Sequence, residues 1–249
     1  MQGLVSVSFR KHTVEEIISA AKNANLRYIE WGSDVHAPAN DIANLKKIKV
    51  LQEENGIICS SYGTYFVIGE SSPDELHGLI NAAKILGTNI LRLWCGNKNF
   101  EDYSEAERTL FLDLCKDYAL IAEKNEVYLC MECHNNTFTN CLEGAKRLME
   151  SVNSKNFLMY WQPNQFLSFQ ENIEYAREIS PYTKVIHVFN WLKKEKFPLA
   201  DGIDTWAEYL KFFPENILCL LEFMPDNNIL SLPVEADALK KIKSRRLTL

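Results

Sequence analysis

A chain of 249 residues, 47% hydrophobic and 24% charged, has an ordinary globular composition and is long enough to bury a sizeable core. The formal net charge of −6 argues against a nucleic-acid partner. No run approaches the ~18 uninterrupted apolar residues of a membrane helix, and residues 1–9 lack the basic and long apolar regions of a signal peptide.

Period-two apolar runs predict strands at 4–9, 28–31, 57–62, 90–94, 127–132, 157–161, 184–189 and 218–222. Helical periodicity fills the intervals at 14–25, 41–55, 73–86, 105–125, 142–152, 169–179, 205–213 and 233–244. Start signals stand at Thr13 with Glu16, and at Ser72-Pro73 with Glu75; Gly56 and Gly87 follow helix ends. Helical crossovers imply parallel strand pairing, and eight such units in roughly 250 residues favour closure. The expected fold class is therefore α/β, one (β/α)8 TIM barrel forming a single domain over 1–249. No GxGxxG follows the first strand, so the dinucleotide-binding alternative lacks its phosphate loop.

In such a barrel the chemistry sits at the C-terminal strand ends. Glu132, Gln162, His187 and Glu222 each end a short apolar run, spaced by 30, 25 and 35 residues. Four neighbouring strands would thus bring four oxygen or nitrogen ligands to one divalent ion, Mn²⁺, Mg²⁺ or Zn²⁺. Arg92 is placed to orient a catalytic carboxylate or to bind a substrate hydroxyl, and Glu30 belongs to the same polar layer. Trp31, Trp94, Trp161 and Trp191, with Tyr62 and Tyr65, fall at or just beyond strand ends and suit stacking on a sugar. His36 and His134 follow strand ends and are candidates for touching substrate. Cys130 and Cys133 form a CxxC, but residues three apart on a strand face opposite sides. Seven cysteines without disulfide-like spacing predict a reducing compartment, and the expected location is cytoplasmic. Lys240 to Arg246 reads as the solvated face of the last helix, and homo-oligomerisation is left open.

These residues together resemble the sugar isomerase/epimerase superfamily with the xylose-isomerase-like barrel. That group includes D-tagatose 3-epimerase, hydroxypyruvate isomerase and inosose dehydratase, with AP endonuclease family 2 more distant. The carriers are Ile29-Glu30-Trp31 with Ser33-Asp34-Val35-His36, Leu91-Arg92-Leu93-Trp94, Met131-Glu132-Cys133-His134, Trp161-Gln162-Pro163, His187-Val188-Phe189-Asn190 and Leu221-Glu222. The resemblance implies metal ligands at Glu132, Gln162, His187 and Glu222, with Gln162 standing where the family has Asp. It also implies substrate contacts at Gln165, where the epimerases carry His, and at Lys193, where they commonly carry Arg. The implied activity is metal-dependent isomerisation or epimerisation of a sugar, sugar phosphate or sugar acid. Glu132 and Glu222 would exchange a proton next to a carbonyl that the ion polarises. Two other classes compete: a sugar-binding barrel whose turnover was lost with the Asp, and a phosphodiesterase of the endonuclease type, which needs more His and Asp ligands than stand here.

Overall fold

Amphipathic helices alternating with short apolar strands must bury one face of each helix on the sheet, and the chain does so by closing the sheet on itself. The computed structural model describes residues 1–248. Seven strands lead in chain order: β1 (Gln2–Val5), β2 (Tyr28–Gly32), β3 (Ile58–Ile68), β4 (Ile90–Cys95), β5 (Tyr128–Glu132), β6 (Phe157–Trp161) and β7 (Thr183–Val188). A short antiparallel hairpin of β8 (Trp191–Leu192) and β9 (Glu195–Lys196) follows, and β10 (Leu218–Leu221) completes the barrel. The closed order is β1-β10-β7-β6-β5-β4-β3-β2, with every barrel pair parallel.

Eight helices surround it: α1 (Val14–Asn23), α2 (Ile42–Asn55), α3 (Pro73–Leu86), α4 (Glu105–Asn125), α5 (Leu142–Val152), α6 (Phe169–Ile179), α7 (Ile203–Leu210) and α8 (Leu232–Arg245). Thr13 closes a full capping box with Glu16 at the start of α1. Gly56 and Gly87 end α2 and α3 in the left-handed region, at φ 66° and 87°, where a side chain would be strained.

Two predicted strands differ from the observed ones by more than one residue at an end. Instead of running to Phe9, β1 stops at Val5 and continues as a 3-10 turn over Ser6–Phe9. Here the serine hydroxyls tie the loop to its neighbours: Ser6 Oγ accepts from Gly32 N and Ser8 Oγ from Phe223 N. Conversely, β3 extends to Ile68 through Gly63, with an irregular register between Gly63 and Val67.

The core divides by strand face. Residues pointing outward, such as Leu4, Ile29, Leu91 and Met131, join the helices in one large cluster. A smaller cluster of Val5, Val7, Cys130, Tyr160, Val185, Leu218 and Leu220 fills the barrel itself. Cys130 and Cys133 accordingly lie in different clusters, on opposite faces.

Candidate metal centre

Strand alternation carries the inward face from apolar to polar. Two residues beyond the inward Cys130, Tyr160, Val185 and Leu220 stand Glu132, Gln162, His187 and Glu222. All four lie within 9% exposure at the C-terminal end of the barrel. His187 Nδ1 is 3.1 Å from Gln162 Oε1, 3.3 Å from Glu132 Oε1 and 3.6 Å from Glu222 Oε2. One ring nitrogen carries at most one hydrogen, so it cannot satisfy three oxygens. A cation can, and ligand atoms of Glu132, His187 and Glu222 lie within 4.8 Å of one another. The donor set, three oxygens and an imidazole nitrogen, suits a divalent metal ion.

A second polar layer lies beneath. Arg92 Nε donates to Glu30 Oε1 at 2.9 Å, and Arg92 Nη1 donates to Glu132 Oε2 at 2.6 Å. Trp94 Nε1 donates to the same Glu132 oxygen at 2.6 Å. Ser61 Oγ and Tyr160 OH donate to Glu30 Oε2 at 2.9 and 2.5 Å. Gly63 leaves room for this pairing, because a Cβ there would collide with Glu30 Oε1 and Arg92 Nη2.

Electrostatics separate the two glutamates at the top. Burial pushes the Glu132 carboxyl up, but Arg92, then His187, override it and hold the group far below the usual carboxylate range. Glu30 is likewise held down, to about 2, with Arg92 again overriding burial. For Glu222 burial prevails: opposed by His187 and reinforced by Glu132, it keeps the carboxyl above its ordinary value. Burial would lower His187, yet Glu222, Glu132 and Glu30 raise it to about 10. The imidazolium therefore stands in for a cation at neutral pH, and an ion ligated by Nδ1 must displace a proton. Zinc affinity is expected to rise about tenfold per pH unit below that value, as one proton leaves per ion bound. Competition calorimetry at about pH 6 and pH 8 checks this. An affinity indifferent to pH would exclude His187 as a ligand.

Above the centre opens a cavity of about 240 Å³ lined by Arg92, Trp94, Glu132, His134, Gln162, Gln165 and Glu222, among others. The His134 ring stacks on Trp94 at 5.1 Å and 19°. Its Nδ1 faces Asn135 O at 2.7 Å, which leaves Nε2 as the free ring nitrogen. Trp191 and Tyr65 also line the cavity.

Four expected substrate contacts lie elsewhere. Trp31 immediately follows the inward Glu30, so it faces the helices, fully buried, and its Nε1 donates to Gln52 Oε1 on α2. Tyr62 pairs in register with Trp31 and shares its outward face, where its OH donates to Ala37 O. His36 is buried against the α1 side, with Nε2 3.1 Å from His12 O. Lys193 sits at a positive φ of 56° in the exposed turn between β8 and β9; its backbone N donates to Gln165 O. Trp161, expected at the mouth, is also outward and packs on Trp206, Tyr209 and Phe213. The cavity instead uses residues that sequence reasoning passed over: Arg10, Asn135, Asn164, Phe189 and Phe223. Arg10 is fixed at the rim by Asp34, Val7 O and Tyr65 OH. Loop residues have no periodicity to announce which way they point, and of these five only Phe189 lay within a predicted strand.

A closed parallel barrel with a buried carboxylate and imidazole cluster at its C-terminal end defines a class of proteins, and comparison with known families narrows it. The chain belongs to the xylose isomerase-like TIM barrel family, whose model matches residues 18–242. A 3-dehydroshikimate dehydratase from Bacillus anthracis is 23% identical over 127 residues, which cover 49% of this chain and 44% of that protein. The match thus spans less than half the length of this curated relative. Among solved structures, the probable 3-DHS dehydratase AsbF of Bacillus anthracis superposes with a TM-score of 0.79 at 18% identity, covering 96% of this chain and 99% of that one. The IolI protein, solved with a bound zinc atom, gives 0.73 at 16% identity, covering 99% and 98%. Sugar epimerases share the same fold. Among the described residues, no helix is long and apolar enough to cross a membrane.

Proposed function

We propose that the protein is a metal-dependent enzyme that removes the proton next to the carbonyl of a small polyhydroxylated compound. Its products would be those of a sugar or sugar-acid isomerase or epimerase. The observation that carries this reading is the convergence of Glu132, Gln162 and Glu222 on one nitrogen of His187 at the floor of an open cavity. These four residues would hold the ion. When bound, a divalent ion supplies Lewis acidity to a carbonyl and so acidifies the neighbouring carbon.

The protein groups divide the remaining work. Glu222 is the base: its carboxylate faces the cavity, and burial keeps its proton affinity above that of an ordinary carboxylate. Glu132 is a fixed ligand first, because Arg92 and Trp94 occupy its Oε2. Its Oε1 is the oxygen left for the ion and for proton return. Trp94 and His134 give the cavity a flat wall for a sugar ring or chain, while Gln165 supplies amide hydrogen-bonding groups. Arg92 works through Glu132 and Glu30 rather than through a substrate hydroxyl.

A second outcome of the same proton abstraction is loss of water. One tied and one free glutamate give a single ready base, which suffices for elimination, whereas epimerisation needs a donor on the opposite face. The dehydratases among the relatives favour this reading.

Incubating the zinc- or manganese-loaded protein with a panel of keto-sugars and hydroxylated keto-acids in D₂O tests both. Deuterium on the carbon beside the carbonyl, with an unchanged molecular formula, is expected for the isomerase; loss of one water marks the dehydratase. Rearrangement without deuterium uptake would replace proton abstraction by a hydride shift. Metal-dependent cleavage of an abasic-site duplex with no sugar turnover would overturn the reading, and ligand binding without metal or turnover would favour the binding barrel.

A further inference from the structure

Glu30 is fully buried on the second strand, 102 residues before Glu132, and reaches no part of the cavity. Yet it touches two groups that set the geometry above it, Arg92 and His187. Its Oε2 accepts from Ser61 Oγ and Tyr160 OH, and its Oε1 accepts from Arg92 Nε. The same Oε1 lies 3.7 Å from His187 Nε2, a buried ring nitrogen without a hydrogen-bond partner. We infer that Glu30 is a positioning residue of the metal centre, keeping the Nε2 proton on His187 when an ion displaces the Nδ1 proton, so that the freed Nδ1 lone pair points among Glu132, Gln162 and Glu222.

A neutral imidazole has one N–H and one lone pair, and what faces each nitrogen selects the tautomer. Three metal-ligating side chains face Nδ1, whereas a carboxylate faces Nε2. A carboxylate on the far side of a ligating histidine fixes the ring and makes it a stronger donor. Glu30 acts on a second ligand too, through Arg92: with Nε held by Glu30, the guanidinium is oriented so that Nη1 occupies Glu132 Oε2 and leaves Oε1 to the ion. The charges also balance. Glu30, Glu132 and Glu222 against Arg92 leave two negative charges around a neutral His187, matching one divalent cation although Gln162 brings none.

This inference rests on the metal-centre reading, and zinc itself is the probe. Calorimetric titration of Zn²⁺ into the full chain and into Glu30→Gln is expected to show a ten- to hundredfold weaker affinity in the variant. A merely structural carboxylate would change thermal stability and leave zinc affinity alone. In the zinc-loaded wild-type protein, ¹⁵N spectra of the histidines should show His187 ligated at Nδ1 and protonated at Nε2, a readout independent of whether the variant folds. Equal zinc affinity in Glu30→Gln, or ligation through Nε2, would overturn the role of Glu30 and leave the metal centre standing. A wild-type chain that takes up no zinc would remove both.

Discussion

Glu222→Gln is expected to slow deuterium exchange beside the substrate carbonyl by two to four orders of magnitude or about that, the usual contribution of a positioned general base. The substitution keeps the shape and one oxygen ligand but removes the cavity-facing carboxylate that burial holds above its ordinary value, Glu132 being held below. Glu132→Gln should fail differently. An amide oxygen can still accept from Arg92 and Trp94, but the anion is gone, so zinc affinity should fall and activity with it. Metal titration and exchange, measured on both variants, separate the roles: Glu222→Gln binds zinc and does not exchange, Glu132→Gln binds zinc poorly. Glu105→Gln on the outer helix layer, where the carboxylate is exposed and paired with Arg108 and Arg147, should change neither. Near-normal exchange in Glu222→Gln would remove Glu222 as the base and return that task to Glu132.

The barrel was legible because its units repeat. Helices α3, α4, α5 and α6 match the predicted bounds, each announced by a helix-period run, and α3 also by Ser72-Pro73 at its start and Gly87 at its end. The convergence of Glu132, Gln162, His187 and Glu222 was legible for a related reason: polar residues that end neighbouring apolar strands of a barrel meet at its C-terminal rim. The tryptophans show where position along a strand was read without its parity. Glu30 and Gln162 face inward, so Trp31 and Trp161, one residue away, must face outward; the same alternation that separates Cys130 from Cys133 settles them. Parity also points to Tyr160, two residues before Gln162, as an inward group. What the sequence could not yield is the cavity wall from loops, such as Arg10, Asn135 and Asn164, whose directions are set by local hydrogen bonds. Ser61 lay hidden for another reason, because the register of β3 against β2 shifts beside Glu30.

Arg92→Leu should be the most damaging single change to stability, and its pH dependence identifies the cause. Arg92 is 3% exposed, and its guanidinium bridges two buried carboxylates, Glu30 and Glu132. Removing it takes from two buried carboxylates their strongest cationic partner, a change that costs about 3–5 kcal/mol at neutral pH. In the wild-type protein both carboxyls are held below their ordinary values. Their contribution is therefore complete above the unfolded carboxylate pKa, roughly 4.3, and lost as pH falls through the depressed folded values. Without Arg92 the strongest influence opposing burial is gone, and both carboxyls move up from their depressed values although His187 still opposes burial. The variant's carboxyls therefore take up protons at higher pH than the wild type's, so the two proteins' stabilities converge as pH falls from about 7 to about 4. Urea unfolding of both proteins at these two pH values should thus show a difference that narrows at the lower one. A constant difference would mean that Arg92 stabilises the barrel by packing its stem rather than by compensating Glu30 and Glu132. Adding Glu30→Gln to Arg92→Leu should then restore part of the loss at neutral pH, since one of the two stranded charges is gone.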